Sequence, residues 1–225
     1  MVVKKSTINL TTVYNGPVSP RPKLASDEEV LRAAFRAISR IGPAKLTLAD
    51  VAGEAGISAA ALVQRFGSKR ALLLAAAKDA AGGDQYIFPA LRAQHASPVA
   101  AIVGLAECMS LMGTTPAEIA HNLAFLQIDL PDDDFHRHAL AASTGMRAGI
   151  RALVRDAIAA GELTKGDPAR LASALHATLN GSMLNWAVHR DGPMTGAIAR
   201  DLRAVLEPRL TATGKRRLRK TARRS

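Results

Sequence analysis

Cysteine and aromatic residues are scarce in this 225-residue sequence. Its one cysteine, Cys108, excludes an intramolecular disulfide and a cysteine-rich zinc site. Aromatic residues make up 4% of the chain although 48% of it is hydrophobic, so alanine and leucine supply much of the apolar content. Because these residues form helices more readily than strands, the composition favours a helical protein.

Long apolar runs are also missing. No stretch approaches the roughly eighteen uncharged apolar residues that a membrane-spanning helix needs. The first twenty or so residues contain no apolar core of the kind found in secretory signals. These absences predict a cytoplasmic protein with no membrane-spanning segment and no secretory signal.

The positive charge is unevenly distributed. The formal net charge is +11, and both ends are basic, since residues 1–25 hold four basic side chains, residues 215–225 hold seven, and neither segment holds an acid. We expect a flexible basic arm over residues 1–25 and a disordered basic tail over residues 212–225. Such ends are usually solvated; if they bind a polyanion, charge alone does not separate nucleic acid from an anionic membrane surface.

Helix-start signals recur along the chain. Ser26 with Glu29 and Thr47 with Asp50 have the capping-box spacing, and Ser58 and Ser68 are placed to cap two further helices. Beyond Gly83 the pattern predicts helices near 86–95, 98–112, 116–128, 133–160, 168–190 and 194–210. We therefore predict an all-α fold, with an N-terminal head (residues 26–82) built on a three-helix helix–turn–helix and a larger helical body (residues 83–211).

Ala52 and Gly56 have the spacing of a helix–turn–helix motif. The first helix needs a small residue where the second crosses it, and the tight turn needs a positive φ that glycine adopts at little cost. In that motif the second helix enters the major groove of DNA. The spacing alone also fits an ordinary αα-hairpin.

A longer stretch of sequence favours the helix–turn–helix over the ordinary αα-hairpin. Residues 46–73, LTLADVAGEAGISAAALVQRFGSKRALL, strongly resemble the N-terminal DNA-binding domain of the TetR family of transcriptional regulators. The resemblance runs from about Asp27 to Ala80, and the positions that carry it are Thr47, Val51-Ala52, Glu54-Ala55-Gly56, Leu62, Phe66, Gly67-Ser68-Lys69 and Leu72. It implies a DNA-binding head and a body that binds a ligand and forms a homodimer.

The resemblance also implies which residues contact DNA. They are Thr47, Ser58, Ala59, Ala60, Ala61, Val63, Gln64, Arg65 and Lys69. The chain departs from the family at Val63, where tyrosine is common, and at Ala61, where threonine is frequent. The alanine block would let the helix lie deep in the groove and leave polar readout to Gln64 and Arg65. Lys69, otherwise a solvated surface lysine, is expected to bind a phosphate near a helix amino end.

Eight residues of the body are candidates for contact with a small molecule. They are Met109, Met112, His121, Phe125, His176, Asn180, Met183 and Trp186. The last four follow one another at spacings of four, three and three residues, which places them on one helix face. Such residues are more often core than ligand contacts, so a minority of the eight should line a cavity. Gly181-Ser182 would permit close approach of a partner helix or mark a kink.

Neither a metal site nor a catalytic site is predicted. Asp132 with His136 and Asp134 with His138 are i,i+4 pairs, but the two pairs face different ways. The acids are therefore expected to stabilise the start of a long helix. Cys108 is expected to be buried filler, and no catalytic constellation or cofactor motif stands out, so the chain is not predicted to be an enzyme.

Together these features predict a dimeric, ligand-responsive DNA-binding regulator. We expect a repressor that binds a pseudopalindromic operator and is released by a small, largely apolar molecule. The basic ends and the alanine-rich recognition helix leave one alternative, a sequence-tolerant architectural DNA-binding protein.

Overall fold

The computed structural model describes residues 25–222, which are mainly α-helical. The helices are α1 Asp27–Ile41, α2 Leu48–Ala55, α3 Ala59–Phe66, α4 Lys69–Ala81, α5 Asp84–Gln94, α6 Pro98–Cys108, α7 Pro116–Leu123, α8 Leu126–Asp129, α9 Asp133–Ala159, α10 Pro168–His189, α11 Met194–Leu206 and α12 Ala212–Ala222. Two short 3-10 turns cover Met109–Met112 and Glu207–Arg209. Within the described residues the chain forms no β-strand beyond one isolated bridge, so the all-α prediction is confirmed.

The predicted caps start the helices of the head. The backbone N–H of Ser26 donates to the Glu29 carboxylate at 2.6 Å, and the Ser26 hydroxyl accepts from the N–H of Glu29 at 3.2 Å. Thr47 and Asp50 make the same reciprocal pair at 2.8 and 3.2 Å. Each pair satisfies amide groups that a helix amino end would otherwise leave without partners.

The core of the head lies among α1 to α4. Val30, Val51, Leu62 and Leu72 have no exposed surface. Phe135, from the amino end of α9, is 2% exposed and belongs to the same cluster. The body thus contributes a large side chain to the core of the head, and the two parts are packed together.

The core of the body surrounds α6. Every residue from Val99 to Ala106 is buried, because α6 packs against α5, α9, α11 and α12. Next to it, α10 lies between α9 and α11. The long helix α9 therefore contacts both the head, through Phe135, and the centre of the body.

The predicted helix between residues 116 and 128 is interrupted. It is divided into α7 and α8 at Ala124 and Phe125. The other helices of the body begin and end within a few residues of their predicted bounds. Within residues 25–222, no helix combines the length and the hydropathy of a membrane-spanning segment.

The prediction of a disordered tail is wrong for residues 212–222, which form α12. Leu218 is 8% exposed and joins the core of the body, and Arg217 Nε lies 3.9 Å from the carboxylate of buried Glu162. The Thr211 hydroxyl accepts from the N–H of Gly214 at 3.2 Å and so caps the helix start. One apolar anchor, one ion pair and one cap hold a segment whose basic composition suggested disorder.

The remaining parts of the predicted ends lie outside the described residues. These are residues 1–24 of the expected arm and residues 223–225 of the expected tail.

Candidate DNA-binding surface and ligand cavity

The turn between α2 and α3 depends on Gly56. This residue has φ 67° and ψ 30°, in the left-handed region, and the N–H of Ile57 donates to the carbonyl of Ala52 at 3.0 Å across the turn. A Cβ added at Gly56 would meet no atom within 4 Å. Glycine is therefore required here for its backbone conformation and not for lack of space.

Helix α3 is attached to the head by a narrow face. Leu62 is fully buried, whereas Val63 is 45% exposed. Six of the residues predicted to contact DNA lie in α3 or directly before it. Five of them are exposed, namely Ser58, Ala59, Ala60, Val63 and Gln64, and Ala61 is half-buried. An exposed helix with small residues at its amino end has the shape that major-groove insertion requires.

Arg65 is placed differently from the expectation. Its guanidinium donates to the backbone carbonyl of Ala25 and pairs with the carboxylate of Asp27, at the start of α1. In this arrangement Arg65 fastens α3 to α1. Of the two polar readers predicted from the sequence, Gln64 alone is left without such a contact among the described residues.

Thr47 and Lys69 lie near each other at one edge of the head. The Thr47 hydroxyl donates to the Asp50 carboxylate at 2.6 Å, and this hydrogen bond is the main reason that the pKa of Asp50 lies below its ordinary value. The positive charge of Lys69 also lowers the pKa of Asp50. Lys69 Nζ lies 3.4 Å from the carbonyl of Ala44, in the loop before α2. Lys69, in the first turn of α4, thus lies beside the loop that leads into α2.

A cavity of about 490 Å³ lies between the head and the body. Its walls come from both parts of the chain, from α1 and α4 on one side and from the Met109–Met112 turn and α7 to α10 on the other. The lining residues are Phe35, Ile38, Ala76, Ala77, Ala80, Met109, Met112, Asn122, Leu123, Phe125, Leu126, His138, Ala139, Ala142, Ser143, Met146, His176, Leu179, Asn180 and Met183. Its volume is in the range of binding sites for small molecules.

Six of the eight predicted ligand residues line this cavity. They are Met109, Met112, Phe125, His176, Asn180 and Met183. The other two are engaged elsewhere. His121 Nδ1 lies 2.8 Å from the carbonyl of Ser39, and the Trp186 indole donates to the carbonyl of Gly192 at 2.8 Å. Contrary to the prediction, His121 and Trp186 do not line this cavity. The expectation that a minority of the eight residues would line a cavity is also wrong, because six do. Contact of any of the eight with a ligand stays a prediction.

Sequence reasoning missed the part of the cavity wall that comes from the head and α9. Phe35 of α1 is 36% exposed and faces the cavity, and Ala76 of α4 also lines it. From α9, His138, Ser143 and Met146 also reach it. The helical periodicity of each segment shows an apolar face but does not show which other segment that face meets.

The polar groups of the cavity wall have different environments. Asn122 donates to the Ser39 hydroxyl at 3.0 Å and to the carbonyl of Glu118 at 3.1 Å, so its amide is used to hold α7 against α1. The amide nitrogen of Asn180 lies 3.4 Å from Nε2 of His176. Burial, aided by the positive charge of Arg147, lowers the pKa of His176, which favours the neutral imidazole.

The acids at the start of α9 hold the head against the body. Asp132 caps the helix, and the guanidinium of Arg70, from α4, lies 2.9 Å from carboxylate oxygens of both Asp132 and Asp134. Arg70 also lies over the ring of Phe135, 5.6 Å from its centroid. The hydrogen bonds from Arg70 lower the pKa of both carboxyl groups. These acids do stabilise the helix start as predicted.

The candidate metal and nucleophile residues show no reactive arrangement. Within residues 25–222 there is no group of three or more histidine, cysteine or acidic side chains able to hold a metal ion. Cys108 is buried, and its burial raises the pKa of the thiol to about 11, as expected for buried filler.

Both the head and the body match models of known protein families. Residues 30–76 match the family described as bacterial regulatory proteins of the tetR family, and residues 104–212 match the BetI-type transcriptional repressor C-terminal domain. No curated protein matches the chain.

Solved structures with this fold cover most of the chain at low sequence identity. A TetR transcription regulator from Haloarcula marismortui ATCC 43049 is 20% identical, with a TM-score of 0.65 over 82% of this chain and 98% of that chain. A TetR family regulator from Agrobacterium tumefaciens is 21% identical, with a TM-score of 0.65 over 82% and 97%. FadR from Bacillus subtilis, solved in complex with stearoyl-CoA, is 16% identical, with a TM-score of 0.60 over 80% and 98%.

These matches agree with the geometry of the head. A left-handed glycine turn joins α2 to an exposed α3 in the segment that matches the tetR family, and the larger helical domain follows it. The chain belongs to the TetR family of DNA-binding transcriptional regulators.

Proposed function

We propose that this regulator is a homodimeric repressor that leaves its operator when a small, largely apolar molecule enters the cavity. The observation that carries the proposal is that the head and the body build the cavity together. Phe35 and Ala76 of the head face the same space as Met183 of the body. A molecule there touches both parts, so it can favour one relative position of them over another.

DNA contact is assigned to the exposed face of α3 and to Lys69, at the start of α4. Gln64 would read base edges, the alanine block would allow close approach to the groove floor, and Lys69 with Thr47 would contact phosphates. The exposure of α3 and the closeness of Lys69 to the loop before α2 support this assignment.

Helix α9 provides the connection between the two sites. Near its amino end it carries Asp132 and Asp134, which hold Arg70 of the head, and further along it carries Ser143 and Met146, which line the cavity. A ligand that displaces α9 would move the anchor of Arg70, next to Lys69. Release then requires that the ligand bind the displaced arrangement more tightly than the DNA-bound one.

The dimer interface is assigned to the outer face of α10. Leu184 and Val188 are 49% and 69% exposed, and a Cβ added at Gly181 would meet nothing within 4 Å. Exposed apolar side chains beside a small residue are suited to packing against a second copy of the same helix. Val188→Asp should therefore yield monomers in sedimentation analysis, whereas Ala141→Asp, at an exposed position of α9, should leave dimers.

The repressor role is supported by the match of residues 104–212 to a BetI-type transcriptional repressor domain. That FadR was solved in complex with stearoyl-CoA shows that this fold accommodates a ligand in that protein. Both observations favour regulation by a small molecule over DNA packaging.

Selection of bound sequences from a randomised pool of duplexes tests the proposal. The expected product is a pair of inverted half-sites whose centres lie about one helical turn, or a multiple of it, apart. Gln64→Ala should change the base preference within each half-site, and Gln94→Ala, an exposed glutamine at the end of α5, should not. A pool without any enriched motif would contradict the proposal and favour a sequence-tolerant architectural protein.

A further inference from the structure

The described side chains that line the cavity carry no acidic group, no lysine and no arginine. The positive charge of Arg147 contributes to the lowered pKa of His176, but Arg147 does not line the cavity. Among the described residues, the ionisable side chains of the wall are two histidines, His138 and His176. The site thus holds no permanent charge to pair with an ionic ligand.

Charge without a partner is costly in such a site. An ion that leaves water for an apolar cavity loses its hydration, and proteins that bind ions compensate with an opposite charge or with several oriented dipoles. Aromatic cages are a second way to hold an organic cation. Here the aromatic wall consists of Phe35 and Phe125, and Phe125 is packed edge-on against Phe135 at 6.2 Å. Two phenylalanines from separate elements provide little of such a cage.

Hydrogen-bonding groups are nevertheless present. His138 and Ser143 face the cavity from α9, and among residues 25–222 neither side chain has a hydrogen-bond partner. His176 and Asn180 face it from α10, joined only by their mutual 3.4 Å contact. These groups can both donate to and accept from a neutral polar group.

The apolar wall is adaptable. Met109, Met112, Met146 and Met183 all line the cavity, and the unbranched thioether side chain fits apolar ligands of different outline. A site of this kind selects by polarity and size more than by exact shape.

We infer that the ligand class of this cavity is an uncharged, mainly apolar molecule bearing a hydroxyl or carbonyl group, and not an organic cation or a carboxylate. The apolar chain would lie against the methionines, and the polar group would meet Ser143, His138 or the His176–Asn180 pair. The inference rests on the proposed function, since it names the chemistry of the molecule that causes release.

Calorimetric titration of the full-length dimer with three probes of one chain length tests the inference: decanol, decanoate and decyltrimethylammonium. We expect decanol to bind at least about tenfold more tightly than either ion, because only the ions must be buried without a partner charge. Equal affinities, tighter binding of either ion, or no binding of decanol would overturn the inference.

Two variants of α9 show whether the cavity itself makes the distinction. Ser143→Asp places a carboxylate in the wall, so binding of decyltrimethylammonium should strengthen and binding of decanoate should weaken further. Ala141→Asp adds the same charge on the exposed side and should leave the wild-type order. If Ser143→Asp melts abnormally, Ala139→Asp serves instead: it places the same carboxylate at another position of the wall and should have the same effect on both ions. An unchanged order of the three probes in the carboxylate variant that folds normally would also overturn the inference.

Release of the selected operator is measured separately with the same probes. Decanol that binds with the expected preference but leaves the operator occupied would contradict the proposed function and leave the ligand class standing. Release by an ion that binds as tightly as decanol would contradict the ligand class and leave the proposed function standing.

Discussion

The guanidinium of Arg70 lies 2.9 Å from both carboxylate oxygens of Asp132. This contact joins the first turn of α4, next to Lys69, to the residue that caps α9. Because α9 also lines the cavity, the pair connects the predicted DNA-contacting edge of the head to the wall of the candidate ligand site. It is the contact through which we expect occupancy of the cavity to reach the head.

Arg70→Ala should weaken that connection. Operator affinity without ligand should change little, but the loss of affinity caused by ligand should shrink by roughly threefold or more. Arg137→Ala is the matched control, since Arg137 pairs with Asp134 inside α9 and does not reach the head. Fluorescence titration of operator with and without decanol gives the affinity without ligand and the loss of affinity that the ligand causes. An unchanged ligand response in Arg70→Ala would show that coupling runs elsewhere.

The same pair predicts a pH dependence. Arg70 holds the pKa of Asp132 and of Asp134 below the ordinary carboxyl value, so their contribution to stability is complete above about pH 4 and is lost as pH falls through the lowered pKa. In urea unfolding at stepped pH, the difference in stability between wild type and Arg70→Ala should vanish on acidification. A difference that stays constant to low pH would mean that the carboxylates do not stabilise the fold through Arg70.

Gly56→Val should destabilise the head by about 1–3 kcal/mol, because a β-branched residue opposes the left-handed backbone at this position. Gly56→Asn should cost less, since asparagine tolerates that conformation and the space around Gly56 is open. Thermal unfolding and operator binding should fall in the order glycine, asparagine, valine. Equal stability of the two variants would remove backbone strain as the reason for this glycine.

Lys69→Ala should weaken binding to all DNA sequences alike. Loss of one phosphate contact reduces the slope of log affinity against log salt by about one. Lys78→Ala, which removes an exposed lysine from the other end of α4, should leave the slope unchanged. A loss of affinity confined to one base position would assign Lys69 to base readout instead.

The basic face of α12 is expected to add affinity that is sensitive to salt and indifferent to sequence. Because truncation of the tail would also remove Leu218 and the Arg217–Glu162 pair, the informative variant replaces Lys215, Arg216 and Arg219 with glutamine. Binding to a scrambled duplex at low salt should weaken, while operator preference and dimerisation persist. Loss of operator preference would make α12 part of the sequence reader.

The sequence predicted local features of the fold well. The capping pairs at Ser26 and Thr47 and the left-handed turn at Gly56 were foreseen because each depends on residues within a few positions of one another. The prediction for the tail was wrong, because its structure depends on contacts with residues distant in sequence. These contacts are the burial of Leu218 and the ion pair of Arg217 with Glu162.

The candidate cavity was predicted only from its body side. Helical spacing placed His176, Asn180 and Met183 on one inward face, but the same reasoning included Trp186, whose indole instead donates to Gly192. Periodicity shows which face is turned inward and does not distinguish core from cavity. The contribution of Phe35 arises from packing of the head on the body, which no local pattern encodes.

Operator affinity of a variant with a side chain filling the cavity tests whether occupancy of the cavity weakens DNA binding. Ala142→Phe places a ring in the cavity, whereas Ala141→Phe places it on the exposed side of α9. With folding and dimerisation confirmed for both, the dissociation constant for the selected operator is measured at one salt concentration. We predict that Ala142→Phe binds at least about fivefold more weakly than Ala141→Phe and responds no further to decanol. Wild-type affinity and a full response in Ala142→Phe would contradict it.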